Sequence, residues 1–191
     1  GSGTVGGAVN VASGGLLTGS LTLGGAVSVS GSITPATAGT IGTISLASLV
    51  LNGATLNFDL TSSLNSDKIA ILGASAPVVT GSSGFNFSAL GSLSVGTYQL
   101  ITNTGGALLS TTGFANINHF NSLPGYVISL TNAPGSLNLI VNLSGTNVTW
   151  TGGNGLWDRS TTNFIGTTDN KFHDGDLVTF GSTTAGVVNS V

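Results

Sequence analysis

The chain has 191 residues, of which 40% are hydrophobic and only 5% charged, with a formal net charge of −3. Three scattered cations, Lys68, Arg159 and Lys171, cannot assemble the basic surface that nucleic acid or an anionic membrane requires. Disorder needs low hydrophobicity with high net charge, a membrane helix needs about 20 consecutive apolar residues, and the absence of cysteine excludes disulfides, thiolate metal sites and a cysteine nucleophile; none of these classes fits.

Helical periodicity is missing almost throughout, and short β-branched and Leu-rich runs alternate with Gly, Ser, Asn and Thr clusters. From the N-terminus, Val9 and Val11, Leu21 and Leu23, and Val27 and Val29 each show period two. Gly-rich turns are expected after them at Gly14-Gly15, Gly24-Gly25 and Gly31. Further strands are expected at 41–46, 49–51, 55–60 and 68–72, then at 78–79, 85–87, 97–101, 126–130, 137–143, 148–150 and 177–180. The early strands are only about three to five residues long and almost uncharged, which suits a parallel β-solenoid better than a sandwich, because each coil stacks on the next.

The expected fold is therefore all-β, with a right-handed parallel β-helix (a β-solenoid) over residues 1–72. Residues 73–145 carry longer strands, several aromatics (Phe85, Phe87, Tyr98, Phe114, Phe120, Tyr126) and three of the four prolines. They either continue the solenoid or form an inserted β-sandwich-like lobe. Residues 146–191 hold both tryptophans and four of the six aspartates, a Trp- and Asp-containing block leading into a further β segment. The start Gly1-Ser2-Gly3, without an initiator Met, suggests a piece of a longer or processed polypeptide.

The order of Trp150-Thr151-Gly152-Gly153-Asn154-Gly155-Leu156-Trp157-Asp158, then Thr162-Asn163-Phe164, then Asp174-Gly175-Asp176-Leu177-Val178-Thr179-Phe180 carries a resemblance. It is similar to the W-x-G…W-[DS]…T-N-W…F-x-x-G-D-x-V-x-F pattern of autotransporter-associated β-strand repeat proteins. Upstream, Gly53-Ala54-Thr55-Leu56-Asn57-Phe58-Asp59-Leu60, Ser66-Asp67-Lys68-Ile69-Ala70-Ile71 and Gly96-Thr97-Tyr98-Gln99-Leu100-Ile101 resemble segments of the same proteins. Phe164 stands where the pattern commonly has Trp. The resemblance implies a bacterial secreted or surface-displayed stalk, mostly β-helical, whose repeat has no assigned catalytic residue and no cofactor.

Candidate sites are few. Asp158, Asp169, Asp174 and Asp176 with His173 offer oxygen ligands of the kind Ca²⁺ takes, but the Asp of Gly152-Gly153-Asn154-Gly155-Leu156-Trp157-Asp158 arrives one residue late for the G-G-x-G-x-D motif. Asx turns ahead of the last strand are the expected use of these aspartates, and no metal is assigned. His119 and His173 lack any zinc-binding spacing, and there is no G-x-S-x-G elbow. Asp59 and Asp67 lack the arrangement of a glycosidase pair, and a local salt bridge is expected between Asp67 and Lys68. Trp150 and Trp157 are the expected ligand platform if the chain binds surface glycans.

The bare, uncharged termini are expected to act as assembly edges through Val5, Val9 and Val11 at one end and Val187 and Val188 at the other. The reading is a non-catalytic structural segment of a β-rich stalk or fibre, one repeat of a longer protein or a filament subunit, whose partner is itself. The alternative is an adhesin binding glycan or a host surface through Trp150 and Trp157.

Overall fold

The computed structural model of the chain describes residues 4–106, 125–151, 158–173 and 175–180. Among these residues the protein is all-β, with three open sheets and no helix. It divides into two compact units, Gly1–Leu123 with Ile128–Val141, and Pro124–Val127 with Asn142–Val191.

In the first unit the chain passes repeatedly between a larger and a smaller sheet. Strands β1 (Thr4–Val5) and β2 (Val9–Val11) lie in the larger, β3 (Leu16–Thr18) in the smaller, β4 (Thr22–Val29) in the larger and β5 (Ser32–Thr34) in the smaller. The alternation continues with β6 (Thr43–Asn52) in the larger and β7 (Thr55–Leu60) in the smaller. Strands β8 (Lys68–Ile71) and β9 (Val78–Thr80) follow in the larger, β10 (Gly84–Ala89) in the smaller and β11 (Gly96–Asn103) in the larger. Every pairing among these eleven strands is parallel. The larger sheet then ends in an antiparallel addition, β12 (Tyr126–Ala133) and β13 (Ser136–Leu143), with β13 against β11. Gly135, at φ 70°, makes the turn between them in a conformation that other residues adopt only with strain.

Register explains why the strands are stable although short. Thr4 faces Thr22, Leu23 faces Leu46, Leu46 faces Ile71 and Ile69 faces Ile101, so the chain returns after 18, 23, 25 and 32 residues. In-register stacking with side chains alternating between faces puts like on like. One inward row runs Leu23, Leu46, Ile71; another runs Val29, Leu51, Val79; in the smaller sheet Ile33, Leu56 and Phe85 align. Leu46, Ile71, Val29, Leu51, Ile33, Leu56 and Phe85 are wholly buried. Phe58, Phe85 and Phe87 form an aromatic cluster with ring centroids 5.6–6.3 Å apart. A second, half-buried row is polar: Asn57 Nδ2 donates to Thr34 Oγ1 at 3.0 Å, and Asn86 Nδ2 donates to Asn57 Oδ1 at 3.2 Å.

Two expectations about boundaries are corrected. The segments at 41–46 and 49–51 form one ten-residue strand, β6 (Thr43–Asn52), because Ser48 pairs with Ala26 and Ala47 carries the strand past the β4 bulge. Gly24-Gly25 is not a turn; β4 runs straight through it with a bulge, where the register against β6 slips between Leu23 and Ala26.

The second unit contains a three-stranded sheet: β14 (Asn147–Trp150) pairs antiparallel with β15 (Phe164–Ile165) and parallel with β16 (Leu177–Phe180). Val148 and Phe164 are buried.

Candidate functional site

The N-terminal edge of the first unit carries the first group of expected residues. Strands β1 and β2 pair with β4, and β3 with β5; among the described residues nothing pairs with their other side. Burial follows from that. Val5 is 47% exposed, whereas Leu23, its partner in the same inward row, is 2% exposed. Val9 is half-buried above Val27, which is 1% exposed; Val11 keeps 8% above the wholly buried Val29. The apolar interior thus surfaces at this end. No ionisable side chain occurs before Asp59, so the edge lacks the charges that ordinarily block strand addition. The opposite expected edge, Val187 and Val188, lies outside the described residues.

The register also exposes a repeat that periodicity alone overlooked. Thr4-Val5-Gly6-Gly7-Ala8-Val9-Asn10-Val11 lies directly over Thr22-Leu23-Gly24-Gly25-Ala26-Val27-Ser28-Val29. The signal was present in the sequence as self-similarity at a spacing of 18 residues.

In the second unit, β14 places Trp150 edge-on to Phe164, with ring centroids 5.0 Å apart at 75°, and Phe164 lies 5.7 Å from Phe172. Trp150 is half-buried as part of this cluster, and its register neighbour Phe180 is 49% exposed. Trp157, the other half of the expected platform, lies outside the described residues.

The aspartates of this unit serve as backbone acceptors. Asp158 Oδ1 accepts from the amides of Ser160 (2.7 Å) and Thr161 (2.6 Å) and from both hydroxyls, an arrangement led by the Thr161 side-chain bond that holds its carboxyl down to about 2. Asp169 accepts from the Lys171 amide at 3.2 Å. Asp176 joins two segments, accepting from Thr146 N (3.0 Å) and His173 N (2.7 Å). The His173 ring lies between carboxylates, with Nε2 3.3 Å from Asp169 and Nδ1 3.6 Å from Asp176. Among the described residues no group of three or more His, Cys, Asp or Glu could hold a metal ion. Asp174 and His119 lie outside the described residues.

Sequence reasoning misread one further pair. Asp67 does not form the expected ion pair with Lys68: its carboxylate is wholly buried and accepts from Gly42 N (2.8 Å) and Asp59 N (3.0 Å). Lys68 starts the next strand, where its amide bonds the Gly42 carbonyl and its side chain is half-buried. Asp59, also buried, accepts from Gly39 N at 2.6 Å. The two carboxylates therefore fasten the loop 35–42 to the following turn of chain. Burial pushes the Asp67 carboxyl up to about 6, the two backbone hydrogen bonds oppose it, and the neighbouring Asp59 charge adds to the rise.

Comparison with known protein families and with curated proteins found no match.

Proposed function

We propose that this chain is a non-catalytic structural segment of a bacterial secreted or cell-surface stalk, built as a parallel β-solenoid and extended through its strand edges. The observation that carries the reading is the passage of eleven successive strands between two sheets in which they pair only in parallel, with apolar rows stacked in register from one return of the chain to the next. In such an arrangement neighbouring coils stabilise one another, and each of the short strands contributes to a continuous core. The carboxylates serve the same architecture, since Asp59, Asp67, Asp158, Asp169 and Asp176 all hold backbone amides. The order of the Trp150 to Phe180 block and its upstream segments, similar to autotransporter-associated repeats, supports the surface location. The partner is a further β-rich copy or repeat meeting an open edge.

Assembly is the property to measure. Negative-stain electron microscopy of the purified chain is expected to show end-to-end growth, and Val9→Lys or Val188→Lys is expected to abolish it by placing a charge on a pairing edge. Growth unchanged in both variants refutes edge-directed assembly.

A further inference from the structure

Two glycines at the N-terminal edge have no evident reason to be glycine in the chain as it stands. Neither Gly6 nor Gly7 has a positive φ, and among the described residues a Cβ built on either meets nothing within 4 Å. One rung further on, the equivalent glycines are confined. A Cβ on Gly24 would sit 3.6 Å from the Gly6 Cα. On Gly25 it would land on the Gly7 carbonyl, inside the 3.0 Å that real Cβ atoms essentially never breach. Gly25 is thus glycine because a parallel rung covers it, at the position where β4 bulges against β6. Gly31 shows the same relation to the Gly15 carbonyl, and Gly73 to that of Ala47.

We infer that the β1–β2 edge is a docking surface for one more parallel rung of the pattern Thr-[Val/Leu]-Gly-Gly-Ala-Val-[Asn/Ser]-Val, stacked on Gly7 as Gly7 is stacked on Gly25. This deepens the solenoid reading and rests on it. Three observations select the occupant. The inward positions Val5 and Val9 are open where Leu23 and Val27 beneath them are sealed, so the covering strand must continue the apolar row. The absence of any ionisable group before Asp59 matches an uncharged partner. The close approach at the glycine is made by a parallel strand displaced by one rung, the relation that β1–β2 bears to β4, and an antiparallel partner does not reproduce it.

The experiment duplicates residues 4–21 immediately ahead of Thr4 in the full chain and measures amide hydrogen exchange and Tm. The added rung is expected to slow exchange of the β1–β2 amides at least about tenfold and to raise Tm by several degrees, as an additional stacked repeat does. Gly7→Ala is expected to leave the parent Tm unchanged and to remove both gains from the extended chain. An added rung that exchanges like free peptide overturns the inference, and so does a parent chain destabilised by Gly7→Ala. A parent that closes β1–β2 in a head-to-head dimer instead of growing end to end, with protection lost in Val9→Lys, overturns it as well. Gly25→Ala in the parent separates the two readings. If its Tm does not fall, the stacked-coil reading itself fails; if it falls while the added rung stays unprotected, only the template fails.

Discussion

Protonation of Asp67 is expected to stabilise the first unit, reversing the usual direction for a hydrogen-bonded carboxylate. The carboxyl is wholly buried and its pKa rises from an ordinary 3.8 to about 6, chiefly because burial disfavours the charge. The folded state therefore holds a proton that the unfolded state releases between these values. Stability is then fully present below about pH 4, falls as pH rises through about 6, and is level above that. A rise from 3.8 to about 6 corresponds to about 3 kcal/mol at most, at 1.36 kcal/mol for each pH unit. Urea denaturation between pH 3.5 and 7.5, followed by a probe in the first unit such as Tyr98 fluorescence, reads this slope. Asp67→Asn removes the titration and leaves one of the two amide donors, Gly42 N or Asp59 N, facing an NH₂ group. The variant is expected to be flat between pH 4 and 6 and about 1 kcal/mol less stable than the parent at pH 3.5. A parent whose first unit gains stability from pH 4 to 6, or a variant that keeps the parent's slope, refutes the reasoning.

The second unit is expected to respond in the opposite sense. Asp158, held down to about 2 by Thr161 and Ser160, contributes stability above about pH 4 that is lost as pH falls towards 2, and far-UV circular dichroism of Asp158→Asn should lack that acid transition. Phe87→Ala, in the stacked pair with Phe85 at 5.6 Å, should cost about 3–5 kcal/mol by chemical denaturation. If Trp150 were a sugar platform, Trp150→Ala would abolish glycan-array binding and leave stability unchanged. Its packing against Phe164 predicts instead a lower Tm for the second unit.

Strand existence was legible because period-two apolar runs such as Val27, Val29 and Leu49, Leu51 need only local alternation to declare themselves. The all-β class followed from them, and so did the uncharged N-terminal edge, since both depend on composition and short-range pattern. Where strands begin and end was less legible: Gly24-Gly25 has the chemistry of a turn, and only the neighbouring backbone at Gly7 and the bulge against β6 make it mid-strand.

The sequence by itself determined that this chain forms many short strands with polar turns, bears no cysteine chemistry and leaves its first 58 residues without an ionisable group. Beyond the 18-residue repeat that sets β1–β2 against β4, tertiary structure decided which strands are neighbours, because the later returns span 23, 25 and 32 residues and no fixed period links Leu23 to Leu46 to Ile71. It also decided the fate of Asp67. Next to Lys68 in sequence, its carboxylate finds two amides, one of them 25 residues away; burial between parallel-paired strands, not chain adjacency, sets which partner a charge meets.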